Sequence, residues 1–253
     1  MSGAVSEEFL SGPTTVVGHG GDQIEAYAAL PTGPGPRGGV VVIHHMPGFD
    51  DATKEITRRF ASMGYAAVCP NLHHREAPGA LPDDASAAVR AAGGVPDERL
   101  VGDVDGAATF LRGRHDSNGR VGVIGFCSGA RQAVLAACSL DLQAAVDCYG
   151  AYVLAEPPQG SSWRPPSLRG CLPSLSAPLL GLFGRDDRSP APAEVEELDR
   201  VLTHAGKPHE FHSFDGAGHA FFAPDRPSYR VEAAVQGWRL IRDFFARTLQ
   251  TGA

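Results

Sequence analysis

Val121-Gly122-Val123-Ile124-Gly125-Phe126-Cys127-Ser128-Gly129-Ala130-Arg131-Gln132-Ala133-Val134 passes from one kind of chain to another, and the join decides the fold. Residues 121–124 are apolar and of strand length, whereas 130–138 are Ala-rich, Gly-free and of helix length. Between them stands Gly125-x-Cys127-x-Gly129, the spacing of a G-x-S-x-G elbow with sulfur in place of oxygen. A sharp strand-to-helix turn drives its middle residue into strained dihedrals, and small residues on either side let the backbones approach. The middle side chain then stands at the carboxyl end of a sheet and at the amino end of a helix, whose partial positive charge favours a thiolate. As chemistry, Cys127 is a nucleophile; as packing alone, it is a small buried apolar side chain.

Outward from the elbow, residues 39–45 form another continuous apolar run, the mark of a strand buried on both faces of a parallel sheet. Further strands are expected at 65–70, 144–150, 179–184 and, alternating at period two, 209–214. Between them the periodicity predicts helices over 52–63, 83–92, 97–112, 193–205 and 229–249. Residues 14–17 and 24–30 read as an antiparallel hairpin at the sheet edge, preceded by a tail over 1–13. The Pro-rich stretch 156–178 reads as a loop passing over the site. Strands alternating with helices give an α/β fold, a mostly parallel central sheet with helices on both faces, in one domain over 14–250.

Composition narrows the function. A net charge of −7 with no Lys/Arg run argues against a nucleic-acid face. No apolar stretch approaches the ~18 residues of a membrane span. The first residues, with two Glu and no basic segment, do not read as a signal peptide. Five cysteines (69, 127, 138, 148 and 171) are odd in number and lack C-x-x-C spacing, so neither a disulfide framework nor a zinc ribbon is expected. A reducing cytoplasm is the expected compartment.

A nucleophile needs a base, and the base an orienting carboxylate. In elbow hydrolases these follow in the order nucleophile, acid, histidine. After the strand at 179–184 comes Arg185-Asp186-Asp187-Arg188-Ser189-Pro190, and after the last strand comes Gly216-Ala217-Gly218-His219-Ala220-Phe221. Alone, Asp-Asp in a Gly-rich loop is a turn former and a strand-end His a hydrogen-bonded surface or core residue. In this order at strand ends they form a constellation. The oxyanion would be held by backbone amides of Ser128 and of His45 or Met46, because Pro47 has no N–H. Phe126, Tyr149, Phe221 and Phe222 flank these positions as candidate pocket walls, with His45 among the substrate-binding candidates.

The motifs GFCSG, GRDDRSP and GAGHAF resemble those of the dienelactone hydrolase family of α/β-hydrolases, a likeness running from about residue 14 to 249. The resemblance implies Cys127 as nucleophile, His219 as general base and Asp186 as orienting acid, counted back from Pro190 in D-x-x-x-P, with Asp187 the alternative. It implies hydrolysis of a carboxylic ester or lactone through a covalent acyl-enzyme, no cofactor, a small-molecule substrate, and a monomer or homodimer without nucleic-acid or membrane partners. Two positions depart from the family pattern. His45 stands where relatives carry a Glu beside the thiol, and Ala223 where they carry an Arg that grips a substrate carboxylate. These changes imply a relative with a different pocket. The same fold also serves thioester or phosphotriester cleavage, or binding without catalysis. No metal is expected, since adjacent His44 and His45 on a strand point to opposite faces and cannot easily share one ion even with His73 and His74 nearby.

Overall fold

Central strands that are apolar at every position need cover on both faces, and the computed structural model of the chain, which describes residues 8–157, 159–161 and 164–250, shows how it is supplied. In chain order come β1 (Phe9–Val17), β2 (Gln23–Pro31), β3 (Arg37–Ile43), α1 (Asp51–Ser62), β4 (Ala66–Pro70), α2 (Pro82–Ala91) and α3 (Asp97–Arg112). Then follow β5 (Ser117–Phe126), α4 (Ser128–Ser139), β6 (Ala144–Cys148), β7 (Leu179–Gly184), α5 (Pro192–His204), β8 (His209–Phe214) and α6 (Val231–Leu249). Among the described residues these make one eight-stranded sheet in the order β1-β2-β4-β3-β5-β6-β7-β8. The β1–β2 and β2–β4 pairs are antiparallel, and every pairing from β4 to β8 is parallel. The carboxyl ends of the parallel strands therefore open on one edge.

Period two sorts each strand between two cores. Val41, Ile43, Val121 and Val123 face a core built with α3, α4 and α5. Val40, Val42, Ile124 and Phe126 face a second, closed by Phe60 of α1 and by Trp238, Ile241, Phe244 and Phe245 of α6. Val40 through Ile43 have no exposed surface. At about 1.5–3 kcal/mol for each buried side chain of this size, β3 is firmly anchored, and so is the loop that leaves it.

Two expectations change. The hairpin forms, but β1 begins at Phe9, so residues 9–13 belong to the sheet; residues 1–7 of the expected tail lie outside the described residues. Gly12 and Pro13 read as breakers, yet an edge strand pairs on one side only and has room for a residue without an N–H. Tyr27 also ties this extension down, its hydroxyl donating to Ser11 Oγ at 3.0 Å. The described residues of 156–178 do not cross over the site. Val153, Leu168, Leu172 and Leu175 are buried in the core shared with α3, α4 and α5. Arg131 of α4, only 1% exposed, donates to the Pro166 carbonyl at 2.7 Å, and Ser176 donates to the Ala137 and Leu140 carbonyls at the end of α4. Apolar residues spaced between the prolines draw the segment down against the helices. Pro158, Ser162 and Trp163 lie outside the described residues.

Candidate active site

Between β5 and α4 the chain turns at Cys127, with φ 54° and ψ −120°. The glycines on either side are required by contact. A Cβ on Gly125 would lie 1.9 Å from the Gly129 carbonyl oxygen, and one on Gly129 would lie 2.6 Å from the carbonyls of Ile43 and His44. The elbow thus folds onto itself and onto the end of β3, which brings the loop after β3 beside the sulfur. The Cys127 N–H donates to the Cys148 carbonyl at 3.0 Å and is already used. Ser128 opens α4, where first-turn N–H groups have no acceptor within the helix.

The acid lies in the turn after β7. Asp187 is buried, and its Oδ2 accepts from His219 Nδ1 at 2.9 Å while its Oδ1 accepts the Ser189 N–H at 2.9 Å. Asp186, the residue expected from the spacing, is exposed, and only its backbone N–H is engaged, on the Ala217 carbonyl at 2.9 Å. The assignment of the histidine's partner is therefore corrected from Asp186 to Asp187. Neighbouring residues in a tight turn aim their side chains differently. Here the Asp186 amide is taken up by the loop after β8, and the next residue turns inward.

His219 completes the chain of contacts, with Nε2 3.0 Å from Cys127 Sγ. Burial alone would depress its pKa, but the hydrogen bonds to Asp187 and Cys127 outweigh it and the imidazole is pushed up to about 10. The Tyr149 ring meets His219 edge-on at 5.2 Å between centroids. Tyr149 itself has φ 49°, and its turn is held by Asp147, which accepts the Gly150 N–H at 2.6 Å. Burial pushes the Asp147 carboxyl up to about 7.

A cavity of about 200 Å³ opens beside the sulfur, between α1, the loop after β8 and α6. His45, Met46, Phe126, Tyr149 and Phe222 line it. Phe221 does not. It is fully buried, stacked on Phe222 at 4.7 Å and set behind Tyr149 at 5.3 Å, so its place among the substrate-binding residues is corrected to a support behind the wall. Consecutive residues leaving the His219 loop face opposite ways, and the sequence does not say which faces the cavity. The His45 ring is tied back to Asp50, Nε2 to Oδ2 at 3.1 Å. Asp50 also caps α1, accepting the Thr53 N–H at 2.8 Å. Burial would raise its carboxyl, but the contacts from His45 and Thr53 hold it well below the usual range.

Ile56 and Arg59 on α1, Arg226 and Tyr229 before α6, and Trp238 on α6 also line this cavity, and sequence reasoning missed them as a site. The Arg59 guanidinium lies 4.0 Å over the Trp238 ring. Neither Arg59 nor Arg226 forms an ion pair among the described residues, and both are exposed at the rim. Ala223 lines the cavity as well, so the two arginines stand near the position where the family pattern has its own. No motif could have announced them, because α1 carries Arg59 as an ordinary polar position of an amphipathic helix and Arg226 lies in the loop before α6.

His44 turns into the protein. Its Nε2 accepts the Leu72 N–H at 3.1 Å and its Nδ1 lies 3.2 Å from the His45 carbonyl, while burial depresses its pKa to about 3. Among the described residues no three His, Cys, Asp or Glu side chains are placed to hold a metal ion. All five cysteines are free, and no helix is long and apolar enough to cross a membrane.

Known proteins resemble this chain along most of its length. The model of the dienelactone hydrolase family matches residues 24–249. A protein of Methylorubrum extorquens named "Putative carboxymethylenebutenolidase" is 33% identical over 225 residues, covering 88% of this chain and 76% of its own length. A Bradyrhizobium protein named "Probable 2-oxo-3-(5-oxofuran-2-ylidene)propanoate lactonase" is 28% identical over 88% of each chain. Among solved structures, a "Putative Dienelactone Hydrolase" from Klebsiella pneumoniae superposes with a TM-score of 0.83 at 30% identity, covering 95% of this chain and 99% of that one.

Proposed function

The chain belongs to the dienelactone hydrolase family, with the α/β-hydrolase fold, and from that premise we propose that it cleaves carboxylic esters or lactones through Cys127, His219 and Asp187 by way of a covalent acyl-enzyme. The observation that carries this reading is the continuous contact from Cys127 Sγ to His219 Nε2 at 3.0 Å and from His219 Nδ1 to Asp187 Oδ2 at 2.9 Å. Nε2 of His219 holds the proton it shares with Cys127 while the sulfur attacks the carbonyl carbon. The oxyanion that forms is held by the Ser128 N–H and by a backbone N–H of Met46 or His45. Asp187 accepts from Nδ1, which fixes the ring and stabilises the imidazolium. His219 then donates its proton to the leaving alkoxide, leaving a thioester on Cys127. Water attacks that thioester, giving a proton to Nε2, and the carboxylic acid departs as the C–S bond breaks and the Cys127–His219 pair is restored.

The substrate is a small molecule, a lactone or ester that fits the cavity between α1 and α6. Arg59 and Arg226 reach the rim, and Glu55 and Asp225 line the same cavity, so charges of both signs are available to place a polar substituent. Cys127→Ala is the decisive variant. It should lower kcat/KM on the best ester or lactone by more than about a hundredfold, and wild-type protein quenched during turnover should carry the acyl mass on the Cys127 peptide. Retained activity in the alanine variant, or acylation elsewhere, would remove Cys127 from the mechanism.

A further inference from the structure

A second cavity, of about 180 Å³, meets Cys127 from the other side of the sheet. It shares His45, Met46 and Cys127 with the first, but its further lining includes Val89 and Arg90 of α2, Val95 in the turn beyond, His73, Gln132 of α4 and Tyr152 after β6. The first cavity lies on the α1–α6 face, where Ile56 and Trp238 line it; the second lies on the face covered by α2 and α4. The sulfur stands at the boundary, with a chamber on each side.

We propose that this site divides acyclic carboxylic esters between the two cavities, with the alcohol half in the α1–α6 chamber and an apolar acyl chain in the chamber beside α2. The assignment rests on the triad reading above and extends it to a substrate class with two separate halves. A small lactone keeps acyl carbon and leaving oxygen in one ring, and one chamber suffices for it.

The direction follows from where the proton is. His219 lines the α1–α6 chamber and not the other. The proton on Nε2 must reach the leaving oxygen when the C–O bond breaks, so that oxygen and the chain it bears lie on the His219 side. The acyl carbon stays bonded to Sγ after the alcohol has left. Ser128, whose N–H faces the oxyanion in the triad reading, lines only the second chamber, and Val89 and Val95 give that chamber an apolar wall for the acyl chain. In the second half-reaction water forms the new C–O bond, its proton passes to Nε2, and the C–S bond breaks with the acid still in the acyl chamber.

Acyl and alcohol chambers differ kinetically, because only the acyl half is present during deacylation. Val95→Trp and the milder Val95→Phe narrow the α2 chamber, and Ile56→Trp narrows the other. With p-nitrophenyl acetate and hexanoate, the Val95 variants should lower the hexanoate-to-acetate ratio of kcat/KM by about tenfold or more and slow the decay of hexanoyl-Cys127 followed by mass spectrometry. A circular dichroism spectrum and thermal midpoint matching wild type show that each variant is folded. Ile56→Trp should leave hexanoyl-Cys127 decay unchanged while lowering the ratio of hexyl acetate to ethyl acetate. If acyl-Cys127 forms but neither Val95 variant moves the hexanoate-to-acetate ratio, the two-chamber assignment is wrong and the triad reading stands. If Ile56→Trp takes over the acyl-length effect, the direction is reversed and the proposal fails. Absence of any acyl-Cys127 in the wild type would overturn the triad reading and this proposal together.

Discussion

The loops that leave β3 and β8 each place a histidine at the carboxyl edge of the sheet, and the two have opposite chemistry. His44, just past β3, is 3% exposed; its ring nitrogens meet only backbone, accepting the Leu72 N–H and contacting the His45 carbonyl, while the His73 ring lies edge-on at 4.6 Å between centroids. Burial depresses its pKa from 6.5 to about 3, so it is neutral at any physiological pH. His219, past β8, is half-buried, but it faces the Asp187 carboxylate and the Cys127 sulfur, and its pKa goes from 6.5 to about 10 despite that burial. The partner decides the charge. A ring satisfied by neutral backbone groups gains nothing from a proton, whereas a carboxylate 2.9 Å away stabilises the imidazolium directly.

The comparison can be broken most forcefully at Asp187. Replacing it with Asn should lower kcat/KM by about 10²–10⁴, since the ring loses both its orientation and the charge that stabilises imidazolium. An effect below tenfold in steady-state assays would show that the buried carboxylate is structural. In the same variant, the His219 ring followed by NMR should titrate more than about one pH unit lower than in the wild type, while His44 should be unmoved.

Stability should separate the two loops by sign. His219 binds its proton more tightly folded than unfolded, so its contribution is complete below pH 6.5 and is lost as the pH rises towards about 10. His44 resists protonation when folded, so its contribution is complete above pH 6.5 and is lost as the pH falls towards about 3. Denaturant midpoints across this range should show His44→Gln flattening the acid limb and His219→Gln the alkaline limb. His44→Gln should also cost about 1–3 kcal/mol near neutrality by disturbing a buried hydrogen bond. If both variants changed the same limb, the contrast drawn here would be wrong. The smallest effect is expected at Asp186, where Asn should change kcat/KM by less than about threefold, because the side chain is exposed and its amide survives the substitution. A loss rivalling that of Asp187→Asn would restore the spacing-based choice.

The sequence by itself determined the parts that depend on local spacing. Gly125, Cys127 and Gly129 lie within one turn, so the requirement for small residues there is written in consecutive letters, and the 1.9 Å and 2.6 Å approaches explain why. The doubly buried strands were legible because cover on both faces leaves an unbroken apolar run, and the order of elbow, acid turn and histidine loop follows chain direction. Tertiary structure alone decided what depends on side-chain direction or on distant segments meeting. Asp186 and Asp187 are one residue apart in a turn whose path is set by hydrogen bonds to the loop after β8, and only that path turns Asp187 inward. Phe221 and Phe222 exchange roles for the same reason, one behind the wall and one in it. Arg59, Ile56 and Trp238 reach the cavity because α1 and α6 pack on one face of the sheet, and residues 9–13 are held by pairing with β2 despite their own weak pattern. A spacing rule carries no information about such contacts, because the partners come from elsewhere in the chain.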